Sequence, residues 1–396
     1  MKKNIYMSLV ILLAGLKGLS SGVSPDTSVY LITCAPGTAT YAIYGHSALR
    51  VVIPDQKSDV VYNWGVFDFD APNFVWKFAK GRLNYKLAES SFNTFLQIYL
   101  YENRSVWSQK INLYQSETYA LMALIKENLK PENIYYRYDF FYDDCSTRIR
   151  DLIEKAVGSK LFYPPDVTRT IPTFREKVGE YQKIYPWLKM GIDLIMGTPG
   201  DKKASFRDRM FLPIDLQKNL SQAVINRDHK MIPLLQPAQT VLEFNPPYVR
   251  QRLYTAPFFV FSLIFILILF LSSLLKKSRL INIMDIVIFS AFSLLSVLMI
   301  FFNFFTDHQQ MRMNLNIIWL NPFIIICLIC LLFNKQGQLW FRLTFILSAV
   351  FATLIIIVPS AINNAFVPVI LILALRSSAR GNFSWNPFSQ NVTSGK

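Results

Sequence analysis

A cysteine at the start of an amphipathic helix is the strongest candidate for chemistry in this sequence. Cys145 follows two aspartates, and apolar residues recur after it at helical spacing, at Ile149 and Leu152. Asp is a favoured N-cap residue, so the spacing predicts that Asp144 caps a helix with Cys145 in its first turn. The helix dipole and the free N–H groups at that position stabilise a thiolate and can receive an oxyanion. We therefore expect the pKa of Cys145 to lie below ~8.5, provided that Asp143 and Asp144 cap the helix or face away.

A thiolate nucleophile needs a base, and the sequence has three histidines. His229 lies in a polar stretch and His308 lies between apolar stretches, whereas His46 opens a run typical of a buried strand. We predict His46 as the base, with a hydrogen-bonded core histidine as the alternative. A third group should orient the imidazole from a neighbouring strand. Asn63 is the first choice for that group and Asp68 the second.

The elements that must position these residues are mixed α and β. Alternating and β-branched runs predict strands over 28–33, 46–53 and 60–64. Helical periodicity predicts helices over 116–129, with Ser116 as N-cap, over 143–158 and over 213–227. Four prolines between 233 and 247 then predict an irregular connection.

The remaining cysteines have simpler interpretations. Cys34 precedes the histidine strand, and a disulfide between Cys34 and Cys145 is an alternative to a free nucleophile if this part is exported. Cys327 and Cys330 lie within an apolar stretch, where we expect packing residues rather than redox or zinc ligands. No metal site is expected.

The second half of the chain is apolar enough to enter a membrane. Hydrophobic residues make up 52% of the 396 residues and charged residues 17%, below the ~25% of a typical globular domain. Charge-free stretches cover residues 253–275, 286–306, 313–334 and 343–375. The last is too long for one span and is interrupted at 359–364, so we expect about five transmembrane helices. A purely cytosolic protein is excluded. The net charge of +15 lacks a basic patch with interleaved aromatic residues, so no nucleic-acid partner is expected.

The charges also orient the chain. A basic start, an apolar run and small residues predict a secretory signal peptide. Eight Lys and Arg residues then fall in the cytoplasmic loops and tail, against Arg312 alone outside. The loop over 306–312 therefore lies on the same side as the first half of the chain. The predicted divisions are a signal peptide over 1–22, a periplasmic catalytic domain over 23–250, a transmembrane domain over 251–382 and a cytoplasmic tail over 383–396.

The order of these candidates resembles a known family. A histidine strand, a polar residue and then a cysteine helix is the order of the circularly permuted papain-like (NlpC-like) fold. Several segments are more specifically similar to the exported domain of the Lnb-type lipoprotein N-acyltransferases of Bacteroidota: residues 31–37, 45–51, 62–69, 80–85 and 138–151. The similarity continues into the membrane part through His308, Asn314 and Trp319. Asp144 stands where the family pattern has Asn, and Gln309 where it has Pro.

The resemblance implies an α+β periplasmic domain, followed by an all-α bundle in the inner membrane, that transfers an acyl chain. Cys145 would take the chain from a phospholipid as a thioester, with His46 as acid and base. The α-amino group of a diacylglyceryl lipoprotein cysteine would then accept it, without a cofactor. Six residues are predicted to bind substrate: Arg50, Arg148, His308, Arg312, Asn314 and Asn316.

Other interpretations remain open. Arg50 and Arg148 could instead pair with Asp68 or Asp151, and the outer loop could be an interfacial anchor with Trp319 in an aromatic belt. At the level of function, the alternatives are a membrane-anchored NlpC-like cysteine peptidase or amidase of the cell wall, and a non-catalytic lipid-binding protein.

Overall fold

The computed structural model describes residues 24, 26–68, 70–248, 252–275, 278–357 and 362–383. They form an α+β domain followed by a helical region, which confirms the predicted architecture. The predicted signal peptide lies outside the described residues, as does the tail after residue 383.

A seven-stranded sheet is the frame of the α+β domain. Its order is β10-β5-β1-β2-β3-β4-β6, and every neighbouring pair is antiparallel. A smaller antiparallel sheet has the order β7-β8-β9. The strands are β1 Ser28–Cys34, β2 His46–Ile53, β3 Ser58–Val66, β4 Asn84–Ser91, β5 Val106–Lys110, β6 Tyr135–Arg137, β7 Leu161–Phe162, β8 Val224–Arg227, β9 Lys230–Pro233 and β10 Gln239–Leu242.

Seven helices of the α+β domain lie in the described residues. They are α1 Phe74–Ala79, α2 Phe92–Tyr101, α3 Gln115–Asn128, α4 Cys145–Val157, α5 Phe174–Gln182, α6 Pro186–Ile195 and α7 Pro213–Gln222. The three predicted helices are α3, α4 and α7, and the three predicted strands are β1, β2 and β3.

Three local predictions were wrong. Helix α3 has Tyr114 rather than Ser116 as its N-cap residue. Helix α7 ends at Gln222 instead of 227, because the following residues pair with β7 and β9 as β8. The predicted irregular connection contains β10, which pairs with β5 through Gln239 and Ser108.

The two faces of the large sheet have separate cores. Helices α3, α4 and α7 pack on one face, in a cluster that contains Leu49, Trp64 and Cys145. Helix α2 packs on the other face, in a cluster that contains Cys34 and Phe95. Cys34 and Cys145 are both free thiols, so the disulfide alternative is excluded.

Five helices follow in the described part of the second half: α8 Pro257–Leu274, α9 Arg279–Phe304, α10 Phe323–Leu332, α11 Gln338–Ile357 and α12 Phe366–Arg380. Three of them, α8, α9 and α11, are long and apolar enough to cross a membrane. Five full spans therefore remain a prediction. Cys327 and Cys330 are free and lie in the core of this bundle, as expected for packing residues.

The α+β domain and the helical region contact each other through the loop that follows α9. The N–H of Asp307 donates to the carbonyl of Lys80 (2.9 Å), and the N–H of Gly197 donates to the carbonyl of Gln310 (2.8 Å). Gly197 is required there, because a Cβ at this position would lie 1.8 Å from the carbonyl oxygen of Arg312. The predicted placement of this loop on the side of the first domain agrees with these contacts.

Candidate active site

Cys145 is the first residue of α4, and Asp144 caps the helix as predicted. The Asp144 carboxylate accepts hydrogen bonds from the N–H groups of Ser146 (3.0 Å) and Thr147 (2.7 Å). The hydroxyl of Thr147 in turn accepts the N–H of Asp144 (2.7 Å), which completes a capping box. This exchange fixes the direction in which α4 presents its first residue. It also occupies two of the N–H groups that we expected to receive an anion.

An opening in the sheet receives the cysteine. The pairing of β2 with β3 ends at Leu49 and Tyr62, and Gly65 adopts a left-handed conformation (φ +91°) at an irregularity in the pairing of β3 with β4, between Asn63 and Val66. A Cβ at Gly65 would lie 3.8 Å from the Cβ of Cys145. The N–H of Ser47 donates to the sulfur of Cys145, so the thiol lies against the residue that follows His46.

A glycine and an amide position the imidazole. Gly45 has φ +83°, and a Cβ there would meet the carbonyl oxygen of Cys34 at 2.7 Å, so only glycine fits before His46. The Nε2 of His46 donates to the Oδ1 of Asn63 (2.6 Å). An amide oxygen is only an acceptor, so this bond places the proton on Nε2 and leaves Nδ1 as the basic nitrogen. Asp68 is exposed and accepts the N–H of Asp70, so of the two predicted orienting groups Asn63 contacts the histidine.

Burial makes both reactive groups neutral at rest. Desolvation raises the pKa of Cys145, and it outweighs the hydrogen bonds from Ser47 and Ser146 that favour the thiolate. Desolvation also lowers the pKa of His46 to about 4, against the opposing effect of Asn63. The expected low pKa of the thiol was therefore wrong. In the described residues no hydrogen bond joins the sulfur of Cys145 to the imidazole of His46.

Tyr136 is a neighbour of the thiol that the sequence analysis missed. Its hydroxyl is buried and has no hydrogen-bond partner in the described part of the chain. The same hydroxyl lies 3.9 Å from the position of a Gly65 Cβ, beside Cys145. Burial raises the pKa of Tyr136 well above its usual value, so the hydroxyl keeps its proton. A run of tyrosines over 135–142, just before the cysteine, is the sequence signal that could have indicated it.

The two predicted phosphate-binding arginines are engaged by carboxylates. Arg50 pairs with both oxygens of Asp59 (2.7 Å each) and stacks on the ring of Phe92 (3.7 Å). Arg148 pairs with Asp143 and stacks on the ring of Tyr136 (3.5 Å). The expected acidic partners, Asp68 and Asp151, were therefore wrong, and phosphate binding by either arginine remains a prediction.

The predicted substrate-binding residues in the loop that follows α9, called the membrane loop from here on, have different environments. The Nε2 of His308 donates to the carbonyl of Phe78 (2.8 Å), and its ring packs where a Cβ at Gly81 would lie 3.2 Å away. Arg312 is exposed, and its side chain forms no ion pair or hydrogen bond among the described residues.

Asn314 and Asn316 are buried and donate to the carbonyl of Leu194 (2.7 and 3.0 Å). Asn316 also accepts the indole N–H of Trp319 (2.9 Å), which is 1% exposed in the core of the bundle. The aromatic-belt alternative for Trp319 was therefore wrong. The hydrogen bonds of both asparagines hold the loop against the end of α6.

Comparisons with known proteins agree with this organisation. The family described as the Lnb N-terminal periplasmic domain matches residues 21–173, and the family described as the Lnb transmembrane domain matches residues 250–383. No curated protein and no solved structure matches the chain. The matched segments contain the histidine strand, the cysteine helix and the apolar helices, in a membrane protein with a periplasmic domain. The chain belongs to the Lnb family.

Proposed function

We propose that the protein is a lipoprotein N-acyltransferase that uses Cys145 as its nucleophile. The observation that carries this proposal is that the sulfur of Cys145 accepts the N–H of Ser47, the residue that follows His46 of the His46–Asn63 pair, in a member of the Lnb family. The donor is a membrane phospholipid, and the acceptor is the α-amino group of a diacylglyceryl cysteine at a lipoprotein N-terminus. Both substrates are held in the outer leaflet of the inner membrane, where the transmembrane helices keep the catalytic domain.

The first half-reaction makes a thioester. The Nδ1 of His46 takes the proton of Cys145 as the sulfur attacks the ester carbonyl carbon of the donor. The hydroxyl of Tyr136 and the N–H of Cys145 stabilise the oxyanion, since the Tyr136 hydroxyl has no other partner. The C–O bond then breaks, and His46 returns the proton to the departing alcohol. The products are an acyl-thioester at Cys145 and a lysophospholipid.

The second half-reaction makes an amide. An α-amino group has a pKa near 8, so a useful fraction is neutral at the membrane surface. Its nitrogen attacks the thioester carbon, His46 accepts a proton from the nitrogen, and the C–S bond breaks. The proton passes to the sulfur and restores the neutral resting pair. Each step is balanced by groups that the chain and its substrates supply.

The residues of the membrane loop have different roles in the proposed substrate binding. Arg312 is the candidate for the phosphate of a donor headgroup, because its guanidinium is exposed and forms no ion pair or hydrogen bond with the described residues. We propose no substrate contact for Asn314 and Asn316, whose polar groups bond inside the protein. His308 acts through the position of the loop, which it holds against α1.

Mass spectrometry of the intact protein tests the proposal. Purified full-length protein is incubated with dipalmitoyl phosphatidylglycerol vesicles, and we expect one palmitoyl adduct on Cys145. Cys145→Ala should show no adduct, whereas Cys34→Ala, which removes the other cysteine of the domain on the opposite face of the sheet, should keep it. An inserted, folded protein that forms no adduct contradicts the proposal. Cleavage of muropeptides would support a peptidase or amidase instead, and lipid binding that survives in Cys145→Ala without any turnover would support a binding protein.

A further inference from the structure

An apolar cavity of about 220 Å³ lies where the α+β domain meets the loop after α9. Tyr85 and Tyr138 line it from the sheet side, Ile192 and Met196 from α6, and His308 and Met311 from the loop. Because the lining is mostly apolar, the cavity favours an apolar ligand over a polar one.

Two of the polar side chains around the cavity, His308 and Gln310, have hydrogen-bond partners of their own. The ring N–H of His308 is used by the carbonyl of Phe78, and the side-chain amide of Gln310 donates to Asp139. These bonds leave the cavity with few groups to bind a polar ligand. A sugar or a peptide backbone would lose hydrogen bonds to water here without regaining them.

The cavity is adjacent to the candidate active site. Tyr138 lines it, and the ring of Tyr138 lies 3.9 Å from the position of a Gly65 Cβ, which is 3.8 Å from the Cβ of Cys145. Tyr44, which also lines it, precedes His46 by two residues. A group attached to the sulfur of Cys145 therefore needs to pass only one aromatic ring to enter the cavity.

The other side of the cavity is continuous with the membrane part of the protein. Phe78 lines the cavity and is 51% exposed on α1, next to the exposed Val75 and Trp76. The ring of Trp76 contacts the ring of Phe301 near the end of α9 (5.7 Å between centroids). Helix α9 is long and apolar enough to span the bilayer. Because α1 contacts α9 near its end, we expect the exposed apolar residues of α1 to lie where the hydrocarbon of the bilayer begins.

We propose that this cavity binds the acyl chain of the thioester intermediate, and that the membrane loop forms its outer wall. The inference rests on the proposed function and adds the site that holds the transferred chain. A chain leaving the bilayer would follow α1, pass Phe78 and place its carboxyl end at Cys145. The chain then passes from the hydrocarbon of the bilayer into another apolar environment and is not exposed to water on the way.

A bulky substitution at Ile192 tests the acyl cavity through chain length. The rate of adduct formation on Cys145 is measured by intact mass with dihexanoyl and dipalmitoyl phosphatidylglycerol. Ile192→Trp should lower the palmitoyl rate at least tenfold relative to the hexanoyl rate, because the indole fills the cavity and leaves the thiol accessible. Leu188→Trp is the matched control, since Leu188 is equally half-buried on α6 and does not line the cavity.

Each outcome separates the two proposals. A wild-type protein without any adduct refutes the proposed function. A wild-type adduct whose chain-length preference is the same in Ile192→Trp refutes the cavity alone. If Ile192→Trp reacts with neither donor, the rates are measured again with Ile192→Phe, which adds less volume. An equal loss of rate with both donors refutes acyl binding in the cavity. A loss with the long donor alone supports it.

Discussion

The charge state of Cys145 before substrate binds can be measured by alkylation. Burial raises the pKa of its thiol and lowers the pKa of His46 to about 4, so both groups are expected to be neutral before substrate binds. Only the thiolate reacts with iodoacetamide. Below the pKa of a thiol, its thiolate fraction rises about tenfold for each pH unit.

The expected result is a steep pH profile. The rate constant for alkylation of Cys145 should rise about tenfold per unit between pH 6 and pH 8, or roughly a hundredfold over the interval. A thiolate–imidazolium pair formed in the resting enzyme would instead react at a nearly constant rate over this range. The lowered pKa of His46 also predicts that protonation of this base reduces acyl transfer only near pH 4, well below the ~6.5 of a free imidazole.

The assay uses the full-length protein and follows a single mass increment over time. Cys145→Ala supplies the background from Cys34 and the two cysteines of the helical bundle, all of which are buried. A plateau in the alkylation rate between pH 6 and pH 8 would show that the thiol is already ionised. In that case the hydrogen bonds from Ser47 and Ser146 outweigh desolvation, and the mechanism starts from an ion pair.

Substitutions at three positions test the neighbouring contacts. Asn63→Ala should lower acyl transfer about tenfold, the equivalent of one hydrogen bond of ~1.4 kcal/mol, and Asn63→Asp should retain the acceptor oxygen while moving the acid limb of the pH profile upward. Tyr136→Phe should slow thioester formation by ~10²-fold. It should not lower the thermal stability, because the hydroxyl has no hydrogen-bond partner among the described residues. The control Tyr135→Phe, at an exposed neighbour, should change neither the rate nor the stability. Gly197→Ala should lower the Tm in detergent, because its Cβ would overlap the carbonyl of Arg312 and reduce the free energy of unfolding by ~1–3 kcal/mol. The control Gly191→Ala has open space around the new Cβ and should leave the Tm unchanged or raise it. Equal activities for Tyr136→Phe and wild type would remove Tyr136 from the oxyanion site, and equal Tm values for the two glycine variants would show that the loop is not fixed at Gly197.

Local signals were sufficient to predict the two elements that carry the site. Asp144 as a cap and the helical spacing after Cys145 define α4 to within two residues at its start and one at its end, and the alternation after His46 defines β2 completely. The pairing of Arg50 with Asp59 could also have been predicted from the sequence, because the turn at Pro54 sets the register of β2 and β3. Each of these features depends on residues close together in the chain.

What the sequence analysis missed depends on distant contacts. Strand β10 exists because Gln239 pairs with Ser108, which is 131 positions earlier in the chain. The pKa of Cys145 is another such property. Its helix position and the N–H of Ser47, almost a hundred positions earlier, favour a thiolate, but burial by the folded domain outweighs both and raises the pKa. Neither pairing partner nor burial can be inferred from the residues around the site alone.

The contact between Asp139 and Gln310 connects the membrane loop to the nucleophile. Asp139 accepts the N–H groups of Phe141 and Tyr142, and so shapes the turn that leads into Asp144 and Cys145. The same carboxylate accepts the amide of Gln310, so one side chain joins the turn before α4 to the loop after α9. A displacement of that loop would therefore change both the wall of the cavity and the turn that presents the thiol. We therefore expect the turn that presents the Cys145 thiol to depend on the position of the loop after α9, and through that loop on the membrane helices.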